Sequence, residues 1–121
     1  MGSIVVGERN DMLDSIGTTV YLALSVGDLN AAGTEVSGTG YARIAVTLGA
    51  AAAGVKSNTS GPHVFTVGAG GWQSNVDYSA LYDASTAGNL ISTDALDQTR
   101  NMSVVGATMT FGVGDIDLTL T

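Results

Sequence analysis

The chain has 121 residues, 4 basic against 11 acidic, a net charge of −7 and a charged fraction of only 12%. That balance disfavours a nucleic-acid binder or an anionic-membrane binder, because phosphate contacts need clustered Lys and Arg, and here Arg9, Arg43, Lys56 and Arg100 are scattered. The absence of cysteine excludes disulfides, thiolate metal sites and thiol catalysis, while a hydrophobic fraction of 45% suits one folded domain.

The start, MGSIVVGERND, lacks the basic opening and long apolar run of a signal peptide, and no run of about 18 apolar residues is present for a membrane span. Residues 8–16, ERNDMLDSI, read as a short helix with Met12, Leu13 and Ile16 on one side, carboxylates near its start and Gly17 to end it. Nine residues are too few for a stable isolated helix, so it must pack on something. TTVYLALS, 18–25, alternates as a strand. The glycine-rich stretch 26–40 reads as a loop. YARIAVTL, 41–48, is a second strand with Ala42, Ile44, Val46 and Leu48 as its apolar face, and 49–61 reads as a small-residue loop. Strands follow at 63–67, 73–84 and 89–96. DQTRNMSVVGATMTF then reads as a strand, a turn at Val105–Gly106–Ala107 and a strand ending at Phe111. DIDLTLT closes the chain.

About eight short strands with glycine-rich turns predict an all-β fold, an antiparallel β-sandwich of jelly-roll type with a short N-terminal helix. Residues 1–17 form an arm and helix in this reading, and 18–121 one sandwich domain.

Candidate chemistry is sparse. His63 is the single histidine and cannot build a histidine zinc cluster. GAGG, 68–71, lacks the GK[ST] and helix of a phosphate loop. Asp115 and Asp117, two apart on a strand, share a face, but solvated edge charge suits them better than acid–base work or calcium. Arg43 lies mid-strand, where a structural or intersubunit ion pair is expected. Trp72 is a candidate aromatic contact that core packing also explains. No catalytic, cofactor-binding or metal residues are assigned, and no cofactor is expected.

The order of pieces resembles a family of small tailed-bacteriophage virion structural proteins, loosely labelled tail fibre or minor tail proteins. The likeness runs from an NDMLDSI-like segment through VYLALS to GDIDLTLT. Its most specific parts are GTEVSGTGYARIAVT, 33–47, and LYDASTAGNL, 81–90. The resemblance implies a non-enzymatic virion component. The favoured expectation is a head decoration (cement) protein on the outer capsid surface. It would contact the major capsid protein and copies of itself, as trimers about a symmetry axis, with Ile4, Val5, Met12, Leu13 and Ile16 as shell or neighbour contacts. Neither direct nucleic-acid nor membrane contact is expected. The alternative is a tail or spike component bound to other tail proteins. A carbohydrate-binding module would need an exposed aromatic patch, and a glycan hydrolase would need paired carboxylates facing one cleft.

Overall fold

The computed structural model describes residues 10, 11 and 14–119. It is all-β, with every strand pair antiparallel. The β-branched, alternating sequence after Gly17 makes β1 (Thr19–Val26) the centre of the largest sheet. On one edge β1 pairs with β6 (Val76–Tyr82), which pairs in turn with β7 (Leu90–Arg100). On its other edge two strands follow one another. β3 (Ile44–Thr47) takes Thr19 to Leu22, and β2 (Thr34–Glu35) takes Ser25 and Val26. Two ribbons complete the fold: β4 (Val55–Ser57) with β9 (Asp117–Thr119), and β5 (His63–Thr66) with β8 (Thr108–Phe111).

All three sheets contribute to one hydrophobic cluster. Val20, Leu22 and Leu24 come from β1, Val46 from β3, Leu81 from β6, Phe65 and Met109 from the β5–β8 ribbon, and Leu118 from β9. Burying each such side chain stabilises the fold by about 1.5–3 kcal/mol before conformational entropy is counted. Opposite them on β1 and β6, the register places Tyr21 beside Tyr82, Ala23 beside Ala80 and Ser25 beside Tyr78.

Several sequence expectations are corrected. No helix is an element of the fold among the described residues. What remains of the one expected over 8–16 is Ser15 N–H donating to the Asp11 carbonyl at 3.1 Å, then Gly17 N–H to Asp14 at 3.1 Å. Asn10, Asp11 and Asp14 have helical backbone, and the rest of 8–13 lies outside the described residues. Of the apolar residues assigned to it and to the arm, Ile4, Val5, Met12 and Leu13 lie outside the described residues, and Ile16 packs against the core of its own chain. The expected loop 26–40 contains β2, because Asp28 folds it back. Its carboxylate accepts Asn30 N–H at 2.8 Å, and its carbonyl accepts Ala31 and Gly33 N–H at 2.9 Å. Gly33 is required there, since a Cβ would come within 2.4 Å of the Gly27 carbonyl oxygen. In 41–48, Ala42 is exposed and the strand begins only at Ile44. The separate strand expected after 96 is the continuation of β7. The ladder jumps from Tyr78↔Ala95 to Val76↔Arg100, a bulge that absorbs the extra residues where no Gly or Pro breaks the chain.

The expected loop 49–61 holds β4. Ala52 and Val55 exchange backbone hydrogen bonds at 2.8 and 2.9 Å, and both residues between them have positive φ, Ala53 at 52° and Gly54 at 77°. This is a type I′ hairpin turn, which favours Asn-Gly. Ala53 holds the left-handed conformation against its Cβ. Ala53→Asn is therefore expected to stabilise the protein by about 0.5–1 kcal/mol, read as a rise in the unfolding midpoint, whereas Ala53→Val should lower it.

Candidate functional site

Two sequence-distant stretches meet beside the main sheet. β2 and the approach to β3 supply Glu35, Tyr41 and Arg43, and the loop after β6 supplies Ala84 and Ala87. Arg43 carries the junction. Its Nη2 and Nε donate to the two carboxylate oxygens of Glu35 at 2.8 and 3.0 Å, a bidentate fork. Its Nη1 donates to the carbonyls of Ala84 (2.9 Å) and Ala87 (2.7 Å). The guanidinium carbon sits 3.6 Å from the centre of the Tyr82 ring, within cation–π range. The Arg43 side chain is 8% exposed and that of Glu35 25%. The ion pair expected of Arg43 is thus made inside the chain, and its geometry is specific to arginine.

The surroundings reinforce the junction. Tyr41 Oη donates to Glu35 at 2.7 Å and accepts the Leu24 N–H at 3.1 Å, tying β1 to the cluster. Burial, with Glu35 as acceptor, pushes the Tyr41 phenol well above the ordinary tyrosine range. Burial alone would raise the Glu35 carboxyl, but the Arg43 and Tyr41 hydrogen bonds outweigh it and hold Glu35 below its ordinary value. Asp83 closes the 83–89 loop by accepting Asn89 N–H at 2.7 Å and Asn89 Nδ2 at 3.0 Å, and these bonds keep its carboxyl low. Above the ion pair opens a cleft of about 430 Å³ lined by Glu35, Ser37, Tyr41, Arg43, Ser85 and Thr86, among others. Its charges neutralise each other. What it presents suits hydrogen bonding to a partner's backbone or hydroxyls.

Trp72 is 6% exposed and belongs to the core. Its Nε1 donates to the Thr39 carbonyl at 2.9 Å, Tyr41 meets it edge-on at 5.4 Å, and Gly38 lies so close that a Cβ would reach within 2.5 Å of its Cδ1. The aromatic contact read from the sequence is made within the chain. Asp115 and Asp117 do not act as a pair. Asp115 precedes the strand and accepts the Gly112 N–H at 2.7 Å, whereas Asp117 on β9 accepts from Ser57. His63 shares a hydrogen bond with Ser60 at 2.9 Å.

Two buried polar residues were not singled out by sequence. Asn58 is buried, accepts the Ile116 N–H at 2.9 Å and donates to the carbonyls of Ser60 (2.7 Å) and Gly112 (3.0 Å). Lys56 on β4 is 2% exposed, and its ammonium reaches Asp14, itself 46% exposed, at 2.9 Å. Asp14 also accepts the Ala51 N–H at 2.9 Å, and Asn10 accepts that of Gly54 at 2.9 Å, so these residues are fastened to the β4 turn. The Ala51 N–H first, then Lys56, lower the Asp14 carboxyl.

Asp14, Glu35 and Asp83 all bind protons less readily folded than unfolded. Their contribution is therefore complete above the ordinary carboxylate range and is lost as pH falls through the lowered values. Stability should stay level from about pH 7 to 5 and decline below about pH 4, as measured by denaturant midpoints across that range.

The chain is a structural component of a tailed-phage virion. It belongs to the family described as Podophage GP4 fiber I protein gp80, whose model matches residues 13–119 and so spans both walls of the cleft. No curated protein and no solved structure matches it.

Proposed function

We propose that this chain is a tail-fibre-associated structural domain of the virion, a rigid β-module contacting other tail proteins. The observation that carries this reading is the match to a fibre family along nearly the whole chain. It favours the tail over the head-decoration role, with its capsid partner and outer-capsid position, that the sequence suggested. The fold supports a load-bearing part. Three sheets share one core, and the loops around the cleft are held by charge-assisted hydrogen bonds instead of being left free. A fixed loop shape lets a small module bind a neighbour with little ordering cost. The 83–89 loop and the cleft beside it are the proposed contact face.

The test is fractionation of virions. Particles dissociated into heads and tails are separated, and each fraction is probed with antibody to this chain. The chain is expected with the tails; recovery with DNA-free heads alone would overturn the reading.

A further inference from the structure

The large apolar side chains exposed among the described residues are Val64, Val104, Val105 and Val113. All belong to the β5–β8 ribbon and its end turns. Val64 is on β5, Val104 and Val105 are in the turn before β8, and Val113 is in the turn after it. The register sets Val64 opposite Thr110 and Thr66 opposite Thr108. Opposed residues share a face, and these four are exposed while Phe65 and Met109 beneath them are buried. The outer face is therefore a strip of valine and threonine with further valines at both ends.

Two other observations fall on the same strip. None of the chain's 4 basic or 11 acidic residues lies in 59–76 or 101–114, the stretches that build the ribbon and its flanks. In addition, β5 and β8 pair only with each other among the described residues, in an unbroken register. Both outer edges thus carry unpaired backbone groups, and the strands have none of the lysines, prolines or bulges that usually guard an edge. Two strands alone are marginal in water.

We propose that the β5–β8 ribbon is the surface on which a second copy of this chain docks. Charge identifies the occupant. Copies carrying −7 each repel one another, least of all where neither brings a charge to the contact. An open strand edge is complementary to the same edge on a copy, and a valine–threonine face buries well against itself. A basic or acidic partner would find no charge here to answer its own. This contact is independent of where the chain sits in the particle, so it can fail without affecting the tail assignment, and the reverse.

The experiment is sedimentation of the purified full chain over a range of concentrations. Wild type is compared with Val64→Lys, with the turn variant Val104→Lys/Val105→Lys, and with Asn30→Lys, which makes a single-lysine change at an exposed loop on another part of the molecule. Each lysine reduces the net negative charge, so loss of association cannot come from greater overall repulsion. Wild type and Asn30→Lys are expected to self-associate as concentration rises. Val64→Lys is expected to weaken association by about a hundredfold, because a lysine buried at the contact has no partner. The turn variant is expected to weaken it in the same direction while both keep the wild-type circular dichroism. A wild-type chain that stays monomeric at its highest soluble concentration overturns the proposal. So does association that both ribbon variants leave intact.

Discussion

Replacing Trp72 by alanine is expected to remove about 3–5 kcal/mol of stability and lower the thermal midpoint by roughly 15 °C. The ring is almost fully enclosed, touches Tyr41 edge-on and fills the space that Gly38 leaves by lacking a Cβ. Alanine would leave a void beside the 38–41 segment, and would also orphan the Thr39 carbonyl that the indole N–H satisfies. Trp72→Phe separates the two effects. It keeps most of the apolar volume but loses the donor, so a decrease of about 1–2 kcal/mol is expected. Gly38→Ala attacks the same contact from the other side, at a glycine whose φ of 143° already suits no other residue. A Trp72→Ala protein with an unchanged midpoint would mean that the ring is not a core element, and would return it to the list of candidate contact residues.

The second large effect is expected at Arg43. Arg43→Ala should cost about 3 kcal/mol, because it leaves the Ala84 and Ala87 carbonyls without the guanidinium and the half-buried Glu35 carboxylate with the Tyr41 hydroxyl but no countercharge. Hydrogen exchange should show the 33–43 and 83–89 segments losing protection together, since one guanidinium holds both. Arg43→Lys keeps the charge but cannot reproduce the fork and the two carbonyl bonds at once, so it should recover only part of the loss. Pairing Arg43→Ala with Glu35→Gln should give a coupling of about 1–3 kcal/mol. Additive effects and unchanged exchange in the 83–89 loop would contradict the assigned junction.

Buried Lys56 offers a contrast. Lys56→Met would retain the length of the stem and remove a charge that must otherwise be matched in the interior, so it is expected to be neutral or stabilising. Asp14→Ala would leave the ammonium unmatched and should lower the midpoint. Thermal melts of the two variants make the comparison.

Period-two alternation was enough to locate the strands whose one face is buried. Val20, Leu22 and Leu24 on β1 and Val46 and Leu48 in the 41–48 stretch are read in this way, and the all-β class follows from such strands. β2 and β4 escaped because they are two and three residues long and lie in glycine-rich sequence. Their existence depends on Asp28 bonding its own loop and on a left-handed Ala53, and neither has a strong local signature. Missing β2 also concealed the partner of Arg43. Glu35 is only eight residues away, but nothing in a loop assignment brings it alongside the β3 approach. Lys56 and Asn58 looked like ordinary loop residues, since burial of a polar side chain is decided by distant groups, here Asp14, Gly112 and Ile116. The two stretches that best carry the phage resemblance, 33–47 and 81–90, proved to be the two sides of the Arg43 junction, a proximity no linear pattern contains.

The central claim is that this fold serves at the tail. A density map of the intact virion, into which the β-module is placed by the nine strands of its described residues and by labelled antibody, tests it most directly. Density for the module is expected in the tail or at the fibre bases, at low copy number, with other tail proteins against it. A lattice of the module covering the head, with the tail free of it, would contradict the tail role and restore the decoration role.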